Sequence, residues 1–170
     1  EPALSQSIAH TLISRSPAHA WLQHPRLGGK PRKPTKEMDR GSLVHAILLG
    51  KGRDIGVVDF PDWRTNESKK QRAAIRKAGG LPVLRHDLEA VSAAADGIKE
   101  RLSEFRIELS GESELAVFWE EQADDGTPVQ CRSMLDHWKR PKIWDVKTCR
   151  SAHPRACQSH IVGFGYAIQA

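Results

Sequence analysis

The spacing of apolar positions changes repeatedly along the chain, and each change predicts an element. Residues 4–23 place Ile8, Leu12, Ile13, Ala20, Trp21 and Leu22 at helical intervals, with Ser5 or Ser7 as N-cap and a break near Pro17. Residues 39–50 include GSLVHAILLG, apolar all round a short helix, which predicts a buried element with His45 at its middle. Ile55, Val57 and Val58 predict a strand within residues 51–60. Across residues 82–109, Leu84, Leu88, Val91, Ala94, Ala95, Ile98, Leu102 and Phe105 recur at three and four residues, as on one long amphipathic helix. The stretch ESELAVFWEE then alternates as a strand does, and Asp124-Asp125-Gly126 is a hairpin turn. Residues 127–148 hold two further strand-forming runs joined by a basic turn containing Pro141, so three consecutive antiparallel strands are expected from 112 to 148. A last helix starts near Ser151 or His153 with Pro154, and carries Tyr166 and Gln169 three apart on one face.

Composition narrows the class. A chain of 170 residues, 39% hydrophobic and 28% charged, predicts one soluble globular domain over residues 1–170. Three cysteines without a pairing pattern point to a reducing, intracellular compartment. Neither a secretory signal pattern nor an apolar run of about 18 residues is present. The chain opens on Glu1 and closes inside its last predicted helix, as a segment of a longer protein would. The net charge of +5 favours a polyanionic partner. Residues 23–37 form a basic loop carrying Arg26, Lys30, Arg32, Lys33 and Lys36, and residues 61–77 hold Arg64, Lys69, Lys70, Arg72, Arg76 and Lys77 beside Trp63. A nucleic-acid backbone suits such runs, and so does a solvated helix face.

The chemistry concentrates in TPVQCRSMLDHWKRPKIWDVKT. If its two runs pair with residues 139–142 as the connection, Asp136 lies opposite Asp145 and Lys147 shares their face. Opposed residues have Cβ atoms about 4.5–5.5 Å apart, where like charges destabilise a sheet. A hard divalent cation would satisfy both carboxylates; pairing with Lys147 and Arg132 is the alternative. His45 is either a hydrogen-bonded core histidine or, if an acidic centre packs beside it, a ligand. Glu114 either points at the same centre or is solvated. Cys149, His153, Cys157 and His160 have zinc-ligand chemistry, but on one helix they spread over roughly 16 Å, too far for one ion. Phosphate-binding glycine loops, nucleophile elbows and paired Cys-x-x-Cys motifs are absent.

His45 in its helix, Asp136 on one strand, Asp145-Val146-Lys147 on the next and Gln169 on the following helix resemble the PD-(D/E)XK nuclease superfamily. Within it, LSQSIAHTLISRSP, MDRGSLVHAILLG, ESELAVFW, IWDVKT and GYAIQA, in this order over nearly the whole chain, look like RecE-type phage exodeoxyribonucleases, the exonuclease VIII group. The resemblance implies an α/β fold with a central mixed β-sheet flanked by helices, a restriction-endonuclease-like core. It implies Mg2+, with Mn2+ able to substitute, held by His45, Asp136, Asp145 and the Val146 carbonyl. Lys147 would orient and help deprotonate the attacking water, Gln169 would position that water or the DNA end, and Glu114 matches an acid near the centre. Arg64, Lys69, Lys70, Arg72 and Arg132 would contact DNA. The implied activity is 5′-to-3′ digestion of linear duplex DNA to 5′-phosphate nucleotides in phage-type recombination, in the bacterial cytoplasm. A ring-forming homo-oligomer and a single-strand annealing recombinase partner are implied with it. Leu135 stands where the family name has proline, Asp145 where glutamate is frequent, and the tyrosine expected four residues after the glutamine falls beyond Ala170. A catalytically inactive DNA-binding module, or a RecB-like nuclease of another repair or defence pathway, is the alternative.

Overall fold

The computed structural model describes residues 3–24, 26–30, 33–149 and 151–164. In chain order they form β1 (Leu4–Ser5), α1 (Gln6–Ser14), α2 (Pro17–Gln23), α3 (Lys36–Leu49), β2 (Ile55–Val58), α4 (Asn66–Lys77), β3 (Leu81–Leu84), α5 (Arg85–Glu104), β4 (Glu112–Gln122), β5 (Pro128–Lys139), β6 (Lys142–Trp144) and α6 (Pro154–Gly163). The class is α/β with a mixed four-stranded sheet: β5 pairs in parallel with β1, antiparallel with β6, and also bonds β4. A second sheet is the parallel pair β2 and β3. No helix among the described residues is long and apolar enough to cross a membrane.

Two compact units can be distinguished where the length predicts one domain. The first holds the described residues of Glu1–Lys33, Ala116–Leu135 and Cys149–Ala170; the second holds Pro34–Leu115 and Asp136–Thr148.

In the second unit the order β2, α4, β3, α5 follows from parallel pairing, since a parallel strand needs a crossover and α4 provides it. Thr65 caps α4 by accepting the Ser68 N–H at 3.1 Å, while Arg76 and Lys77 sit in its last turn, where the helix dipole favours cations. Leu43, Leu81, Val83 and Val91 form the core, joined by Val44, Ile47, Ile55 and Leu88. The long helix expected over residues 82–109 is divided: Leu81–Leu84 is a strand, and the helix starts at Arg85. All four strand residues are buried, so they read as a continuous apolar run, and Leu84 also fits the helical period that follows. Helix α3 starts at Lys36, three residues before the expected boundary, because Thr35 Oγ1 accepts the Met38 N–H. It packs on α5 and β3, and only Leu43 and Leu48 are buried, so it is not enclosed all round as its sequence predicts.

In the first unit α1 packs on α2. Ser5 is the N-cap of α1 by position but makes no side-chain cap bond, and Pro17 begins α2, where its missing N–H costs nothing. The turn after β4 closes through the Gly126 N–H to Ala123 carbonyl bond of 2.8 Å, with Gly126 at φ +80°, a conformation that favours glycine. His153 caps α6, its Nδ1 accepting the Arg155 N–H at 3.3 Å. The expected continuation of α6 through Tyr166 and Gln169 lies outside the described residues, as does Arg32 of the basic loop.

Candidate metal centre

The centre lies wholly in the second unit and is built from four pieces of chain: α3, the start of β4, the end of β5 and the segment after β6. The β5–β6 ladder pairs Lys139 with Lys142, Trp138 with Ile143 and His137 with Trp144. The predicted register is thus present, with Arg140 and Pro141 as the two-residue connection. The ladder stops one pair short of Asp136 and Asp145, so the two acids are not a bonded strand pair. Instead, Asp136 Oδ2 accepts the Val146 N–H at 2.7 Å.

That Val146 peptide is held at both ends. Its carbonyl accepts from His45 Nε2 at 2.8 Å, and the same ring nitrogen lies 3.7 Å from Asp136 Oδ2. On the other side of the imidazole, Nδ1 is 3.4 Å from Glu114 Oε1. Lys147 Nζ is 2.5 Å from Asp145 Oδ1 and 3.9 Å from Asp136 Oδ2, so the three charged groups meet, although Asp145 and Lys147 follow the end of β6 and do not share a strand face with Asp136 as the hairpin pattern predicts.

His45, Glu114 and Asp136 each offer a ligand atom, all within 4.8 Å of one another, and form the one such group of three among the described residues. The donor set fits a divalent cation. Cis ligands of an octahedral ion with bonds of about 2.0–2.1 Å lie about 2.9 Å apart, close to the separation of Nε2 from the Val146 carbonyl. Asp145 stands outside this group, held by Lys147. Burial is graded: the Asp136 side chain is 10% exposed, those of His45 and Glu114 23% and 30%, and that of Asp145 37%. Burial pushes the Asp136 carboxyl above the usual carboxylate range; the Val146 N–H, His45 and Lys147 pull it down, and Asp145 adds to the rise.

Beneath this centre is a clamp to which the sequence gives no motif. His137 is fully buried, its Nε2 accepting the Gly111 N–H at 3.1 Å and its Nδ1 lying 2.9 Å from Ser113 Oγ. With Nε2 an acceptor, the neutral ring carries its proton on Nδ1 and donates to Ser113. Gly111 comes so close that a Cβ there would meet the Trp138 carbonyl oxygen at 2.0 Å. Between these anchors and the rest of β4, Glu114 has φ +52°, left-handed backbone that costs a non-glycine residue about 1–3 kcal/mol. The only sequence signal for the clamp is parity: period two puts His137 on the opposite strand face from Asp136.

Burial, then the Lys139 charge, lowers the His137 pKa. A histidine whose folded pKa lies below its unfolded value contributes stability that is present above the unfolded pKa, about 6.5, and lost as pH falls through the folded value. Denaturant unfolding should therefore show stability falling between pH 7 and pH 5, with a shallower fall in His137→Gln.

The cations expected at a nucleic-acid backbone are placed differently from one another. Lys69 and Lys70 are exposed on α4, and Arg64 is exposed with its guanidinium 3.4 Å from Asp62. Arg72 lies 5.2 Å over the Trp63 ring and shares Asp39 with Arg76, at 3.4 and 2.5 Å, so much of its charge is matched within the fold. Arg132 is exposed on β5 in the first unit. Gln169 lies outside the described residues. Cys149, His153, Cys157 and His160 form no cluster of three ligands among the described residues.

Comparison with protein-family models, with curated proteins and with solved structures gives no match to this chain.

Proposed function

We propose that this chain is a divalent-metal-dependent exodeoxyribonuclease of the PD-(D/E)XK type, resembling the RecE group, acting 5′-to-3′ on linear duplex DNA. The observation that carries the reading is the convergence of His45, Glu114, Asp136 and the Val146 carbonyl, from positions up to 101 residues apart, with Lys147 beside them. Asp136, His45 and the Val146 carbonyl would hold the cation, with Asp145 completing its oxygen ligands after release from Lys147. A divalent cation there supplies Lewis acidity, easing deprotonation of water and offsetting the negative charge that grows at phosphorus. As the ammonium, Lys147 would place a positive charge next to the attacking oxygen and the scissile phosphate; as the neutral amine it would take the proton of the attacking water and become that cation. Gln169 would position the water or the DNA end. Attack on phosphorus with departure of the 3′ oxygen would free the terminal nucleotide with a 3′-hydroxyl and leave a 5′-phosphate on the shortened strand, which the next nucleotide released carries away. Lys69, Lys70 and Arg64 are the α4-side cations best placed to meet phosphates, and Arg132 is assigned the same role on β5. Phage-type recombination in a bacterial cytoplasm, a ring-forming homo-oligomer and an annealing recombinase as partner complete the proposal.

Linear duplexes labelled at either end, with a circular duplex as the end-free control, incubated with Mg2+, test the activity and its polarity. The expected result is release of 5′-phosphate nucleotides from linear DNA, starting at the 5′ end, and its loss in Lys147→Ala and Asp145→Ala. Undiminished cleavage by either variant removes the site assignment. Salt-sensitive DNA binding with no metal-dependent cleavage points to a binding module.

A further inference from the structure

We infer that Glu114 is a positioning residue for His45 and not itself a cation ligand, an assignment that rests on the metal-centre reading above. The two acids address different nitrogens of one ring: Glu114 Oε1 is 3.4 Å from Nδ1, whereas the Val146 carbonyl and Asp136 Oδ2 are 2.8 and 3.7 Å from Nε2. The imidazole ring directs its two nitrogens apart, so Glu114, although its carboxylate comes within 4.8 Å of that of Asp136, addresses the nitrogen that a cation held by Nε2, Asp136 and Val146 would leave free. Without a cation Nε2 donates to the Val146 carbonyl; with one bound, the ring proton would sit on Nδ1 and be donated to Glu114, which would leave the Nε2 lone pair to the cation and fix the ring plane, the service that a carboxylate behind a ligating histidine performs.

The backbone gives this contact an independent sign of purpose. Glu114 is the one strand residue among those described that is not glycine and has a left-handed φ. Its neighbours hold it there: Ser113 and Gly111 both bond His137, the residue next to Asp136. The clamp therefore ties the residue that orients His45 to the strand that supplies the acid facing Nε2. Strain persists only where the surroundings over-determine it, and here they do so at a side chain aimed at the centre.

Mg2+ and Mn2+ titration by calorimetry, without DNA, separates positioning from ligation. A glutamine can still accept Nδ1–H, whereas a neutral amide is a poor replacement for a carboxylate on a hard cation. Glu114→Gln should keep cation affinity within about threefold of the wild type, and Glu114→Leu should lose about 10–100-fold. Equal losses in both variants would make Glu114 a ligand and overturn the assignment. Glu114→Gly accepts the left-handed backbone without strain, so a loss matching that of Glu114→Leu in a folded protein excludes misfolding as the cause. Ring 15N shifts of His45 in the Mg2+-loaded chain should show a protonated Nδ1 and a ligated Nε2; the reverse pattern overturns the assignment. Wild-type protein that binds no divalent cation would overturn both this inference and the metal reading. The predicted Glu114 pattern in a protein that does not cleave DNA would overturn the nuclease reading alone.

Discussion

Asp136→Asn should yield a protein that is more stable than the wild type when metal-free, yet inactive. Burial is the largest influence on the Asp136 carboxyl and raises its pKa in spite of the Val146 N–H, His45 and Lys147. A carboxyl whose folded pKa exceeds its unfolded value is least burdensome below the unfolded pKa, about 4, and loses stability as pH rises through the folded value. Above the unfolded pKa the wild type therefore carries a cost of burying this carboxyl beside Asp145 that grows as pH rises. Asparagine removes that charge and keeps an oxygen to accept the Val146 N–H, so the segment leading to Lys147 stays in place. Unfolding in the presence of a chelator should show the gain at pH 7 and its decline toward pH 4, with about 2–4 °C in midpoint for each kcal/mol recovered. Added Mg2+ should raise the wild-type midpoint and leave that of the variant unchanged, because only a protein that binds the ion is stabilised by it. Cleavage should fall about a thousandfold or more, since cation stabilisation of the transition state is worth several kcal/mol. A variant that is less stable at neutral pH would show that the ion pairs with His45 and Lys147 outweigh burial.

The same balance explains what the sequence could and could not reveal. Period-two alternation and a short connection were enough to place Asp136 across from Asp145 in register, and the ladder obeys that register as far as His137 and Trp144. Alternation carries no information about where pairing stops. The ladder yields at Asp136 because its carboxylate takes the Val146 N–H, a side-chain bond that competes with strand continuation. Strand β3 was hidden for a related reason: four buried residues have no polar face to reveal a period. His45 could be read as a ligand only through its partners, since a histidine among apolar residues carries the same local signal in a core. Nothing local foretells that Glu114 would meet it across 69 residues, or that a left-handed backbone would deliver the carboxylate. Helix α4 shows the limit of reading charge runs. Arg72 and Arg76 belong to the same basic stretch as Lys69 and Lys70, yet Asp39 turns two of the four inward.

His137→Ala should be the most damaging single substitution to the fold of the second unit. It deletes a fully buried ring and leaves the Gly111 N–H and Ser113 Oγ without their bonds to it. Ser113 Oγ, which is buried, costs about 1–3 kcal/mol if left unsatisfied, while the exposed Gly111 N–H can turn to water; with the cavity left by the ring, a total of about 3–5 kcal/mol is expected. Ser113→Ala, which removes only one partner, should cost about 1 kcal/mol. Gly111→Ala approaches the damage of His137→Ala by another route, because its Cβ would meet the Trp138 carbonyl oxygen, a backbone atom that cannot rotate away. The functional consequence separates a local clamp from general packing. Once Gly111 and Ser113 are released, the strained backbone at Glu114 loses the two anchors on its N-terminal side and can relax toward an ordinary strand conformation, withdrawing its carboxylate from His45 Nδ1. Cation affinity should then fall in His137→Ala even at low temperature, where the protein remains folded, and by no more than the loss in Glu114→Leu, since both act through the same ring. A His137→Ala protein that is destabilised as predicted but binds cations normally would confine the clamp to stability and leave Glu114 held by other contacts.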